Sequence, residues 1–87
     1  MNTIDQMHES LAALCPSALE VFDDSAKHAG HAGARDGGGH YRLSIVASCF
    51  AGLPTMKRHR LVYDALGPLM RREIHALSIS AKAPQEP

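Results

Sequence analysis

Apolar residues recur every three to four positions near the start of the chain, at Ile4, Met7, Leu11 and Leu14. That spacing predicts an amphipathic helix over Thr3 to Leu14. Thr3 reads as its N-cap, with Gln6 three residues on, and Pro16 with Ser17 ends it. Leu19 to Asp23 reads as a short strand. Tyr41 to Ser48 alternates, with Tyr41, Leu43 and Ile45 on one face and Arg42, Ser44, Val46 and Ser48 on the other, which predicts a second strand. After Pro54, a residue suited to a first helical turn, His59, Val62, Leu66 and Leu69 form a second helical stripe, and Met56, Tyr63 and Met70 widen it. Gly67-Pro68 interrupts this pattern. A proline there clashes with the carbonyl of Asp64 at a cost of about 3 kcal/mol, so the helix is expected to break or kink, with Pro68 opening a further turn. Ile74 to Ala81 alternates as a last strand. His75, Leu77, Ile79 and Ala81 are assigned to one face, and Ile74, Ala76, Ser78 and Ser80 to the other. Pro84 and Pro87 end the fold.

The element order is therefore helix, strand, strand, helix, strand. Strands one and two are joined by a loop, Lys27 to Gly39, that holds five of the seven glycines, and can pair antiparallel. A helical crossover between strands two and three favours a parallel pair. The expected architecture is α+β, a three-stranded mixed sheet with helices packed on one face.

Eighty-seven residues make one domain over 1–87, with room for one sheet layer and one helix layer and hardly for a deep active-site cavity. Nine basic residues balance nine acidic ones, which argues against strong non-specific nucleic-acid binding. No apolar run is long enough to span a membrane, and the polar, acidic start is unlike a signal peptide. Cys15 and Cys49 are unmotivated as a disulfide pair and fit a reducing, cytoplasmic setting.

Histidine is the chemically distinctive residue: His8, His28, His31, His40, His59 and His75. Neutral imidazole is the commonest metal ligand such a chain can offer. His28 and His31 sit among glycines, and His75 on the last strand. His28-x-x-His31 also reads as half a zinc site, without evident partners. Gly30-His31-Ala32-Gly33 spells G-x-x-G, a string used against nucleic-acid backbones, but it lies here between two strands rather than two helices. Lys57, Arg58 and Arg60 give a local positive helix surface, with Arg58 and Arg60 expected to point to solvent. No nucleophile–base–orienter set and no phosphate-cradling loop is legible.

The run Phe50-Ala51-Gly52 through Arg58-His59-Arg60-Leu61-Val62-Tyr63, followed by Ile74-His75-Ala76-Leu77, resembles the BolA family: an F-x-G turn, an R-H-R-x-V-Y helix, then a strand carrying a histidine. The resemblance reaches upstream through Leu19-Glu20-Val21 and Asp24-Ser25 to His40-Tyr41, and covers roughly 18–83. It implies a KH-like αββαβ sandwich and a non-enzymatic protein. It further implies partnership with a monothiol glutaredoxin and its glutathione, and a [2Fe–2S] cluster held only when shared with that partner. By the same resemblance His75 is a metal ligand, and a second comes from the loop between the first two strands. That second ligand is His28 when counted forward from Asp24-Ser25, and His31 when counted back from His40. Some BolA-like proteins act as transcriptional regulators. The alternative is therefore a KH-like DNA-binding regulator that uses Lys57, Arg58 and Arg60, with only weak affinity given the zero net charge. Alone, the chain is expected to be a monomer or weak homodimer in the cytoplasm, with no membrane partner.

Overall fold

The computed structural model of the protein describes residues 2–24 and 39–86. The first helix, α1, spans Thr3–Leu11. Its cap is Asn2 rather than Thr3. Asn2 is extended, and its Oδ1 accepts the Asp5 N–H at 2.8 Å while its carbonyl accepts from Gln6 at 3.0 Å, so a short polar side chain satisfies a first-turn donor. The helix stops short of Leu14 because its last turn tightens into a 3₁₀ turn, Ala12–Leu14, and Cys15 adopts the left-handed conformation (φ 51°, ψ 54°) ahead of Pro16. Met7 and Leu11 are fully buried, as the apolar stripe requires.

β1 (Ala18–Asp23) pairs antiparallel with β2 (Gly39–Val46), in register from Ala18 opposite Val46 to Asp23 opposite Tyr41. β2 starts two residues earlier than the alternation suggests and ends before Ser48, which lies in a 3₁₀ turn with Phe50. Its parity is as expected: Tyr41, Leu43 and Ile45 are buried and Arg42 is exposed. Phe50, fully buried, anchors the following turn, and Gly52 at φ 75° supplies the left-handed step that a side chain would resist.

α2 runs Thr55–Leu66 and buries Val62 and Leu66, with Leu61 and Ala65 partly covered. Met56 and Tyr63 do not join this stripe. They are 83% and 42% exposed. At about 100° per residue, the buried arc centres between Val62 and Ala65, and Met56 and Tyr63 fall well over a quarter-turn from that centre. The chain breaks where Gly67-Pro68 demanded it. Gly67 (φ 54°, ψ −127°) ends α2 and donates to the Tyr63 carbonyl at 3.0 Å, and Pro68 precedes α3, Leu69–Arg72.

β3 (Ile74–Lys82) then lies parallel to β2, giving the strand order β1-β2-β3. Met7, Leu11, Leu43, Ile45, Phe50, Val62, Leu66, Leu69 and Ile74 form one core between this sheet and the helices. The architecture is the expected α+β arrangement, a three-stranded mixed sheet with helices on one face. Among the described residues no helix is long and apolar enough to cross a membrane.

Candidate functional site

One departure from simple alternation shapes the site. Gly39 pairs with Ile74, but His40 pairs with Ala76. His75 is therefore an extra residue in β3, a bulge that has no opposite number on β2. Ile74 consequently faces the core, 3% exposed, while His75 and Ala76 are both exposed and Leu77 turns inward again. The alternation that put His75 with Leu77 and Ile74 with Ala76 fails at this point. A one-residue insertion flips every side chain before it to the other face.

The bulge carries His75 to His40. The two imidazole centroids are 5.3 Å apart, with the planes inclined at 47°. The backbone fixes this end of the sheet firmly. Gly39 donates to the Glu73 carbonyl at 2.8 Å, and Asp24 donates to the His40 carbonyl at 2.7 Å. The end of β1, the start of β2 and the start of β3 thus meet in one place. Asp24, His40, Tyr41, Ala76, Leu77 and Ser78 line a concavity of about 330 Å³ there. Asp24 also accepts from Arg42 Nε at 2.9 Å, and the Arg42 guanidinium lies 4.5 Å from the Phe22 ring centroid. The Asp24 hydrogen bond and charge raise the Arg42 pKa above its ordinary value. No hydrogen bond to a described residue restrains the His75 imidazole.

His28 and His31 fall in 25–38, outside the described residues, as does the G-x-x-G string. The two ends of that segment, Asp24 and Gly39, both sit beside the His40–His75 pair. Among the described residues, no group of three or more His, Cys, Asp or Glu side chains is arranged to hold a metal ion. Here the chain offers imidazoles in twos.

His40 is the residue the sequence did not single out as a ligand. Parity does place it on the face opposite Tyr41, but nothing in the sequence pairs it with His75, because that pairing depends on the bulge.

The basic helix surface differs from expectation as well. Arg58 does not point to solvent. Its side chain is 14% exposed. Nε donates to the Leu53 carbonyl at 2.8 Å, Nη1 to the Ala81 carbonyl at 3.0 Å, and Nη1 and Nη2 to the Glu86 carboxylate at 2.5 and 2.6 Å. Glu86 accepts the Ala83 N–H as well, at 3.0 Å. The Arg58 hydrogen bonds, then that backbone N–H, hold the Glu86 carboxyl down at about 2, and Glu86 in turn raises the Arg58 pKa. Arg58 is thus a tether joining the start of α2, the end of β3 and the C-terminal turn. Lys57 and Arg60 are exposed, and His59 is half-buried with its ring edge-on to Tyr63 at 6.5 Å.

Cys15 and Cys49 are free thiols and both are exposed.

Comparison with known proteins agrees with this geometry. The family model described as BolA-like protein matches residues 11–86. The chain is 49% identical over 78 residues to SufE-like protein 1, chloroplastic/mitochondrial, of Arabidopsis thaliana, covering 84% of this chain and 21% of that protein. It is 40% identical over 74 residues to BolA-like protein 1 of Mus musculus, covering 85% of this chain and 52% of that one. It thus spans about a fifth and about half of these relatives. Among solved structures it resembles BolA1 from Arabidopsis thaliana with a TM-score of 0.82 at 36% identity, covering 100% of this chain and 99% of that chain. By sequence and by fold, the chain belongs to the BolA-like protein family.

Proposed function

We propose that the protein is a non-enzymatic partner of a monothiol glutaredoxin and that the two share a [2Fe–2S] cluster. This chain's contribution is His75 and a second imidazole. The observation that carries the reading is the His40–His75 pair, 5.3 Å apart, with His75 exposed and His40 half-buried, at the end of the sheet where Asp24 and Gly39 flank the histidine-bearing segment.

Ligand chemistry supports a shared cluster rather than a private one. Such clusters are held chiefly by cysteine thiolates, and histidine can replace cysteine on one iron. The chain's own cysteines lie at the wrong end. Cys15 precedes the Ala18–Val46 pair and Cys49 follows it, and that pair alone is six strand residues beyond His40, or about 20 Å at ~3.3 Å per residue. The thiolates must therefore come from outside, and a glutaredoxin cysteine with bound glutathione supplies them. The imidazoles bind through a neutral ring nitrogen. The bulge leaves His75 reachable by another protein, which a core-facing position would not. His28 and His31 remain the loop candidates for the second ligand, and His40 joins them.

The test is anaerobic reconstitution of the cluster on the two proteins together, followed by visible absorption and circular dichroism. His75→Ala is expected to change the dichroism and shorten the cluster's lifetime while leaving far-ultraviolet spectra intact. The variants His28→Ala, His31→Ala and His40→Ala, read the same way, identify the second ligand. A cluster whose spectrum and lifetime ignore His75→Ala overturns the ligand assignment, and failure of the two proteins to form a coloured complex overturns the partnership.

A further inference from the structure

The β1–β2 pairing has a consequence at the other end of the sheet. Its register runs Ala18 opposite Val46, Leu19 opposite Ile45, and so on to Asp23 opposite Tyr41. Extended three residues outward, the same register sets Cys15 opposite Cys49. The ladder frays before that point, but the chains stay together. Ser17 N–H and Oγ both reach the Val46 carbonyl, at 2.8 and 3.3 Å. Cys49 Sγ lies 3.9 Å from the Leu14 carbonyl oxygen, and that oxygen belongs to the peptide unit that ends at Cys15 Cα. In a planar trans peptide a carbonyl oxygen is about 2.8 Å from the next Cα, so Cys49 Sγ is within about 7 Å of Cys15 Cα. Cys15 is also the only non-glycine residue with positive φ among those described, so its backbone is held in an uncommon conformation at the point where it faces Cys49. Both side chains are exposed, so a small oxidant reaches them.

We propose that Cys15 and Cys49 form a reversible dithiol–disulfide site, oxidised by a small-molecule disulfide of the glutathione class. The thiolate of one cysteine attacks glutathione disulfide, forming a protein–glutathione mixed disulfide and releasing one glutathione thiolate. The second cysteine's thiolate attacks the protein sulfur of that mixed disulfide and releases the second glutathione. Two protein thiols and one glutathione disulfide become one protein disulfide and two glutathione thiols, with the two thiol protons passing to the leaving thiolates. Disulfides require Cα atoms about 4.4–6.8 Å apart; Cys15 caps one 3₁₀ turn and Cys49 lies within another, just beyond the ladder, so it is these two turns that close to that separation when the bond forms. The bridge ties the end of α1 to the turn before α2. It lies about 20 Å from His40 along β2, so it stands or falls independently of the cluster reading.

The experiment equilibrates the full chain in glutathione redox buffers, quenches with acid, alkylates the remaining thiols and weighs the intact protein. The expected product is a monomer that takes up no alkylating agent, is lighter by two hydrogens and yields a Cys15–Cys49 linked peptide. The variants Cys15→Ser and Cys49→Ser each stop at a single glutathione adduct. The oxidised wild-type chain is expected to melt at a higher temperature than the reduced one. Wild-type protein that accumulates two glutathione adducts, forms intermolecular dimers, or keeps both thiols under oxidising conditions overturns the proposal. So does a bridge that lowers the melting temperature, since it would form only by distorting the fold.

Discussion

Gly39→Ala is the substitution for which the structure gives the clearest magnitude. Gly39 is buried beside Ile74 at the start of β2, and the ring of Tyr41, two residues on and 9% exposed, lies over it. A Cβ at position 39 would press on Cε2 of that ring and stand 2.5 Å from Cζ and 2.6 Å from Oη. Carbon atoms pack at about 3.5–4.0 Å, so the overlap is about 1 Å and either the ring or the strand must move. Tyr41 is packed among Leu43 and its core neighbours and has little freedom to retreat. Forcing one extra methyl into such a site costs about 1–3 kcal/mol. The lower unfolded-state entropy of alanine returns about 0.4–1 kcal/mol, which leaves a net loss of about 1–2 kcal/mol. For a domain of this size each kcal/mol moves the melting temperature by about 4–8 °C, so the expected fall is about 4–16 °C. Urea and thermal unfolding of Gly39→Ala, Tyr41→Leu and the double variant test the cause. If the ring is the obstacle, Gly39→Ala is nearly neutral in the Tyr41→Leu background. A penalty of the same size with and without the ring, or no penalty in the wild-type chain, refutes the packing argument.

Two further outcomes follow from the termini of α2. Glu86 titrates at about 2 when folded against about 4.3 unfolded, so the unfolded chain binds the proton more readily. The tether's contribution is therefore complete above the unfolded value and is lost as pH falls from there through 2. Glu86→Gln should flatten the acid limb of a urea-midpoint against pH curve in that window, and an unchanged limb would show that the tether is idle in solution. Gly67 adopts φ 54°, ψ −127°, a conformation that costs a side-chain-bearing residue about 1–3 kcal/mol. Gly67→Ala should lower the melting temperature accordingly, while Gly52→Ala, with nothing within 4 Å of the added atom, pays only for its positive φ.

The features read from local rules are those that depend on local physics. The parity of β2 follows from an unbroken run of alternating residues. The α2–α3 break follows from a covalent restriction at Gly67-Pro68 that no tertiary contact can lift. The parallel β2–β3 pairing follows from the length of the connection. The misreadings share a different origin. Asn2 displaced Thr3 as the cap because two adjacent polar residues offer equivalent chemistry, and only backbone geometry chooses between them. Met56 and Tyr63 were assigned to the buried stripe because apolar character does not say where the centre of a helix's covered arc lies. Arg58 was assigned to solvent because its partner, Glu86, is 28 residues away and lies beyond the last strand, where no periodicity links the two.

The histidine site was hidden for a more specific reason. Strict alternation from Leu77 back to His75 would have put the imidazole under the helices, where a buried ring needs a hydrogen-bond partner and no second protein can reach it. The family resemblance implied His75 as a ligand, and alternation grouped it with the apolar face of Leu77, Ile79 and Ala81, so the two readings conflicted on one residue. The bulge resolves the conflict by adding a residue to β3 opposite the Gly39–His40 step. Ile74 takes the core position, His75 turns out, and the ring arrives beside His40. The β2–β3 pairing brings 40 and 75 together at one end of β2, and the β1–β2 register, carried outward, points 15 toward 49 at the other. The chain's histidine pair and its thiols are thereby separated along β2.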